Sequence, residues 1–259
     1  MTAKTLKPFK VGKPQLDLLE RLTNADGVSG NEKEVRDLIR AEVEKYSDEI
    51  KTDAMGNLLV TTHAKTPNPL KVMLASHMDE VGFMVVEEDG DGLFAFDMVG
   101  GGDERQLVSK TVRAGNEKLM GIIGSKPIHL SEEDELHSII SMHSMRIDLG
   151  PANKGKVKPG DFVSYTTRFF RSGDALFAKA LDDRLGCATL IELLKNPPEH
   201  IELLLAFTVQ EEVGLRGAGV AAYTLNPDLA IAVDSTPAFD LPRPDGRENT
   251  QYNTRLGGG

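Results

Sequence analysis

The sequence has little cysteine and no apolar run long enough to span a bilayer. Its single cysteine excludes an intramolecular disulfide. Cys187 lies in the apolar stretch LGCATLIELL, where we expect a small buried hydrophobe rather than a reactive thiol. The lysines near the amino terminus are not followed by the apolar segment of a signal peptide. These absences predict a cytoplasmic protein.

Positive charge is also scarce. The chain has 30 lysines and arginines against 40 aspartates and glutamates, which gives a formal net charge of −10. Binding to phosphate groups requires a basic surface, so we expect neither nucleic acid nor anionic membrane as the main partner. With 259 residues, 40% of them hydrophobic and 27% charged, the composition is that of a globular protein with one large domain or two modest ones.

Three short aliphatic runs indicate strands that are covered on both faces. They are VMLAS at 72–76, IELLLAFTV at 201–209 and LAIAV at 229–233. Helical patterns occupy 14–47, 182–196 and 216–225. Within the first, Ser29 and Glu32 have the spacing of a capping box. Strands of this kind alternating with helices predict an α/β fold with a mixed, mostly parallel sheet flanked by helices.

Residues 81–171 have a different character, with many glycines, short strand candidates and frequent turn signals. They predict a small β-barrel inserted into the α/β domain. We therefore expect a catalytic α/β domain whose first part is 1–80 and whose second part is 172–259. The insert between them would be a separate β domain.

Polar residues follow each buried strand at the point where the strand should end. His77 and Asp79 come after the first run, Glu211 and Glu212 after the second, and Asp234 after the third. Asp182 stands at the predicted start of a helix. Ligands of open α/β sheets bind beyond the carboxyl ends of the strands, so these side chains should converge.

One imidazole among several carboxylates is costly to bury unless a cation compensates the charge. A metal site, most simply one with two ions, resolves that conflict. The mixed nitrogen and oxygen ligands suit Zn²⁺, with Co²⁺ or Mn²⁺ as replacements. Taken singly, Asp182 has the ordinary explanation of a helix cap, Asp234 that of a turn residue, and the Glu211–Glu212 pair that of a solvated turn. Only their shared position indicates a metal.

Four segments strengthen this interpretation. In their order and spacing, ASHMDEVGFMV, ALDDRLGCA, VQEEVGLRGA and AVDST resemble the dinuclear-zinc aminopeptidases of the glutamyl aminopeptidase and TET (tetrahedral aminopeptidase) family. The resemblance implies a zinc-peptidase α/β domain with an inserted β domain that serves assembly. It also implies substrates that are peptides with a free amino terminus, and dimers that build dodecamers.

The resemblance also implies roles for individual residues. Asp182 would bridge two metals, His77 and Asp234 would complete one of them, and Glu212 would bind the other. Glu211 would be the general base.

Asp79 would hydrogen-bond the far nitrogen of His77, whereas Asp183 resembles a helix cap more than a ligand.

Members of the family carry a further histidine after the glycine loop that begins here as TRLGGG. We therefore expect this chain to lack the carboxyl-terminal part of the family and to hold its second metal weakly. Two alternatives remain open: a metal-poor inactive fragment or assembly subunit, and a metallohydrolase of the kind labelled as a cellulase.

Overall fold

The computed structural model describes residues 11–133 and 137–238. The α-helices in those stretches are α1 (Lys13–Asn24), α2 (Lys33–Val43), α3 (Leu181–Leu194) and α4 (Arg216–Leu225). The strands are β1 (Glu49–Thr52), β2 (Leu58–Thr62), β3 (Leu70–His77), β4 (Gly82–Gly90), β5 (Leu93–Val99), β6 (Thr111–Ala114), β7 (Leu119–Gly124), β8 (Arg146–Asp148), β9 (Phe162–Tyr165), β10 (Phe170–Ser172), β11 (Ala175–Phe177), β12 (Ile201–Thr208) and β13 (Leu229–Ala232). No described helix combines the length and apolarity needed to cross a membrane.

A five-stranded sheet with the order β1-β2-β12-β3-β13 forms the first layer. The central strand β3 pairs in parallel with β12 on one side and with β13 on the other. The remaining pairings, β2 with β12 and β1 with β2, are antiparallel. The predicted mixed α/β sheet is confirmed, with its parallel part formed by the three aliphatic runs.

Helices cover both faces of this sheet, which explains why β12 is apolar at consecutive positions. Leu203, Leu205 and Phe207 pack into a core with residues of α1, α2 and α3. Leu204 and Ala206 point to the opposite face and pack with Ala221 of α4. Because successive side chains of a strand alternate between faces, burial on both sides requires an uninterrupted apolar run.

The chain leaves β3 and enters a closed barrel of six strands in the order β4-β5-β8-β7-β6-β9. Its neighbouring strands pair antiparallel, and its interior is a separate apolar core that contains Phe83, Phe94, Ile147 and Val163. Phe83 packs edge-on against Phe96, with ring centroids 5.1 Å apart. The predicted β-barrel is therefore present, and the hairpin of β10 and β11 follows it.

The predicted capping box is wrong. Helix α2 begins at Lys33, with Glu32 at the N-cap position and no side-chain hydrogen bond to the cap. The Ser29 hydroxyl instead donates to Asp79 Oδ2 at 2.5 Å, and Glu32 Oε1 accepts from the Gly30 amide. A buried carboxylate distant in sequence offers Ser29 a stronger acceptor than the local helix does.

Candidate metal centre

The parallel register brings the strand ends to one edge of the sheet. His77 is the last residue of β3 and lies opposite Thr208, the last residue of β12. After β12 the chain turns through Gln210, whose φ of 56° is left-handed, and this turn directs Glu211 and Glu212 back towards β3. Asp234 follows β13 at the same edge.

Asp182 reaches the same edge from the start of α3. It and Asp183 have non-helical dihedral angles, so the regular turns of the helix begin after them. The Asp182–Asp183 peptide bond is cis.

His77 lies at the centre of the cluster and is only 4% exposed. Its Nε2 is 3.0 Å from Asp182 Oδ1, 3.9 Å from Glu211 Oε2 and 4.0 Å from Asp234 Oδ1. Its other ring nitrogen, Nδ1, is 3.1 Å from the carbonyl oxygen of Asp79. Because a carbonyl can only accept, Nδ1 carries the hydrogen and Nε2 is the nitrogen that faces the carboxylates.

Asp79 is completely buried beneath His77. Its Oδ1 accepts the Glu211 amide at 3.0 Å and lies 3.6 Å from His77 Nδ1. Its Oδ2 accepts the Glu212 amide at 3.1 Å as well as the Ser29 hydroxyl. One carboxylate therefore contacts both the histidine and the backbone of the glutamate pair.

Two groups of potential ligand atoms converge on His77. One contains Asp183 and Asp234, the other Glu211 and Glu212, and within each group the ligand atoms lie within 4.8 Å of one another. Asp183 already has partners, since its Oδ2 accepts from Ser76 Oγ at 2.6 Å and its Oδ1 accepts from the Gly186 amide at 3.0 Å.

The second of these Asp183 contacts is the cap interaction anticipated from the sequence. Asp182, whose side chain is 59% exposed, is the aspartate in direct hydrogen-bond contact with His77.

The charges of the cluster are poorly balanced. Burial, with the neighbouring Asp182 and Glu211 outweighing the opposing effect of His77, raises the pKa of Glu212 to about 7. Burial and adjacent carboxylates also raise the pKa of Glu211. For His77, burial opposes the charged form, but hydrogen bonds to Asp182 and Asp79 outweigh it and raise its pKa to about 11.

The imidazolium is thus the only positive group among the converging ligands in the described chain. Several oxygen donors, one imidazole nitrogen and excess negative charge form a donor set that fits a divalent cation such as Zn²⁺.

A buried ion cluster behind the centre is not evident from the sequence. Lys179 Nζ donates to Glu80 Oε1 at 2.5 Å and lies 3.4 Å from Asp26 Oδ1. Arg184, fully buried, donates from Nε to the Met78 carbonyl at 2.7 Å. These contacts tie the start of α3 to the end of β3. Their only signal in the sequence is that charged residues flank the two aspartates in KALDDR.

Asn57, completely buried beneath the same turn, is a second residue that the sequence does not reveal. Its Oδ1 accepts the Val209 amide at 3.0 Å, and its Nδ2 donates to the Gly217 carbonyl at 3.0 Å. It therefore fixes both ends of the loop that carries Glu211 and Glu212.

The fold and the site together define an α/β protein with a β-barrel insert and an acidic centre suited to divalent cations. Comparison with known proteins specifies the family. Residues 56–259 match the M42 glutamyl aminopeptidase family, and residues 13–38 match a family described as AMPT. The chain therefore belongs to the M42 glutamyl aminopeptidase family, whose members are hydrolases of peptide bonds.

Individual relatives support this family assignment. A protein of Acetivibrio thermocellus with a provisional aminopeptidase name is 37% identical over 248 residues, which cover 94% of this chain and 71% of that protein. The crystal structure of a TET aminopeptidase from a marine sediment thaumarchaeon has a TM-score of 0.87 and 30% identity, over 95% of this chain and 72% of that one. The TET1 peptidase of Pyrococcus horikoshii can assemble into a tetrahedron or a large octahedral shell. Its structure has a TM-score of 0.76 and 34% identity, over 85% of this chain and 68% of that one.

Proposed function

We propose that this aminopeptidase works with two divalent metal ions, zinc in the first place and cobalt or manganese as replacements. It would remove residues one at a time from peptides with a free amino terminus. The observation that carries the proposal is the convergence of four carboxylate side chains on His77 at the end of β3. Glu211 and Glu212 follow β12, Asp234 follows β13, and Asp182 stands at the start of α3. Asp182, His77 and Asp234 would hold one ion. Asp182 and Glu212 would hold the second.

When bound, the ions supply a Lewis acid that activates water and polarises the scissile carbonyl. The side chains of the chain itself handle the proton. Glu211 would accept it from the attacking water and pass it to the leaving amine, and the raised pKa of Glu211 suits a group that must both take and return a proton. Asp79 would keep His77 in the tautomer that presents Nε2 to the ion.

Hydrolysis of an aminoacyl p-nitroanilide by the zinc-loaded chain tests the general base. We expect Glu211→Gln to lower kcat by about 10²–10⁴-fold, the range for loss of general acid–base catalysis. Glu202→Gln is the matched control, because Glu202 lies near the start of β12, at the opposite end from the turn that carries Glu211, beside Lys71 and His63. Equal activity of Glu211→Gln and the unaltered chain would contradict the assignment.

Metal analysis by mass spectrometry separates the alternatives. Two equivalents of zinc per chain support the dinuclear centre. No zinc after incubation with excess metal would favour the metal-poor fragment or assembly subunit, and cleavage of a β-glucan with no action on amides would favour the cellulase-type hydrolase.

We also propose the division into residues 1–80, 81–171 and 172–259, with the middle segment serving assembly or as a lid, and dimers that build a cytoplasmic dodecamer. The barrel supports this division, because its strands run from Gly82 to Tyr165 and enclose their own core. The shells formed by the Pyrococcus horikoshii relative support the assembly. Light scattering on the purified chain would give the mass, and a strictly monomeric chain would refute the assembly.

A further inference from the structure

We infer that Ser29 is a positioning residue of the metal centre, acting through Asp79 to hold His77 and the Glu211–Glu212 turn in one arrangement. The inference rests on the proposed metal-dependent function. It concerns a residue from the loop between α1 and α2, far in sequence from the strand ends that supply the ligands.

The Ser29 side chain is directed at the centre and is not needed to hold its own loop. Ser29 is 5% exposed, and its hydroxyl donates to Asp79 Oδ2 at 2.5 Å. The loop itself is attached by backbone contacts: the Glu80 amide donates to the Gly27 carbonyl at 2.9 Å, and Val28 forms a parallel bridge with Glu80. Removing the hydroxyl therefore leaves the attachment of the loop in place.

Asp79 is the point at which the Ser29 contact reaches the ligands. Its Oδ2 is shared between Ser29 and the Glu212 amide, while its Oδ1 accepts the Glu211 amide and lies near His77 Nδ1. A completely buried carboxylate depends on each of its donors to fix its rotation. Without the hydroxyl, Oδ2 accepts only from the Glu212 amide, so the Asp79 carboxylate can rotate. His77 and the Glu211–Glu212 turn are then held less firmly in one arrangement.

Groups that orient metal ligands typically change metal affinity by about 10–100-fold when they are removed. We expect Ser29→Ala to weaken Zn²⁺ binding by about that factor, measured by competition with a chromophoric chelator. The visible absorption of the Co²⁺-loaded chain should change in the same variant, because it reports the ligand geometry directly. Ser29→Thr, which keeps the hydroxyl, should restore both readings.

Ser164→Ala is the matched control. Ser164 is 3% exposed and its hydroxyl donates to a carboxylate, Asp26 Oδ1, at 2.8 Å. It matches Ser29 in residue type, in burial and in the kind of acceptor, an aspartate carboxylate, but it lies in the barrel strand β9. Asp26 pairs with Lys179, Arg113 and Lys118 rather than with a proposed metal ligand. The loss of zinc affinity should therefore be far smaller in this variant than in Ser29→Ala.

A double-mutant cycle tests the route through Asp79. In an Asp79→Asn background, Ser29→Ala should cause no further loss of zinc affinity, because the contact on which it acts is already altered. The same loss in both backgrounds would overturn the inference. Circular dichroism shows whether the variants fold, and Ser29→Cys, which nearly keeps the volume with a weaker donor, should be intermediate in zinc affinity. Loss of the native spectrum in both Ser29→Ala and Ser29→Cys would show a purely structural role and overturn it too.

The outcomes also separate this inference from the proposed function. If the unaltered chain binds no zinc, both fall. If it binds zinc and Ser29→Ala binds it equally well, only the role of Ser29 is refuted.

Discussion

Zinc binding to this centre should depend steeply on pH, because His77 carries a proton on the nitrogen that faces the carboxylates. Nε2 lies 3.0 Å from Asp182 Oδ1. Although burial opposes the charged form, hydrogen bonds to Asp182 and Asp79 raise the pKa of His77 to about 11. A histidine must be neutral to bind a metal, so every ion that binds through Nε2 displaces this proton at any pH below that value.

One displaced proton makes the apparent association constant rise about tenfold per pH unit, which corresponds to about 1.4 kcal/mol. Between about pH 7.5 and 9 the slope of log K against pH should therefore be about 1. Burial and neighbouring carboxylates raise the pKa of Glu212 to about 7. Below that pH Glu212 must also lose a proton, and the slope should approach about 2.

Competition with a chelator across this pH range measures the slope. Nitrogen-15 NMR of the metal-free chain reports the protonation of His77 independently, and the His77→Gln variant identifies its signal. A slope near zero above pH 7.5, together with the chemical shift of a neutral imidazole, would refute the reasoning. The chemical shift of a neutral imidazole alone would show that the protonation state of His77 is wrong. A slope near zero alone would show that zinc does not bind through His77.

Four further predictions concern stability, each measured by denaturant unfolding of the metal-free chain. The pKa of His77 is raised on folding, so its stabilisation is full below the ordinary histidine value of 6.5 and is lost as pH rises towards about 11. Unfolding should become easier by about 1.4 kcal/mol per alkaline pH unit, and a flat profile would contradict this. Gly217→Ala should cost about 1–3 kcal/mol by overpacking, because a Cβ there would collide with Asn57 Oδ1 and the Val209 backbone; an unchanged midpoint would show that the turn yields. Asn57→Ala should cost about 1–3 kcal/mol, since it leaves buried backbone groups unpaired. Phe83→Ala, at 0% exposure, should cost about 3–5 kcal/mol, against less than about 0.5 kcal/mol for Tyr223→Ala at 90% exposure.

The strand ends could be predicted because burial on both faces imposes a visible constraint. Strand β12 has apolar residues at consecutive positions. The polar residues that follow it have no place in the core, which marks them as candidates for a functional site. Its register with β3 then brings His77 and Glu211 to the same edge. The mixed sheet and the barrel followed from the same change in pattern near residue 81.

The supporting contacts could not be predicted, since they join residues with no periodic relation. The Ser29 hydroxyl meets a carboxylate 50 positions away, and Asn57 accepts an amide 152 positions away. Local spacing instead assigned Ser29 to a helix cap, a weaker interaction than the charge-assisted bond that it makes. Loop side chains of this kind are positioned by tertiary structure alone.

The insertion of the barrel between β3 and β12 has a consequence for the order in which the chain folds during synthesis. All the barrel strands lie within one continuous stretch and enclose their own core, so the barrel can form as soon as that stretch has left the ribosome. Strand β3, by contrast, is made early and must wait for both of its parallel partners. The contact between His77 and Asp182 spans 105 positions, and contacts of such long range form slowly. We therefore expect the proposed metal ligands to come together last, around a barrel that has already folded.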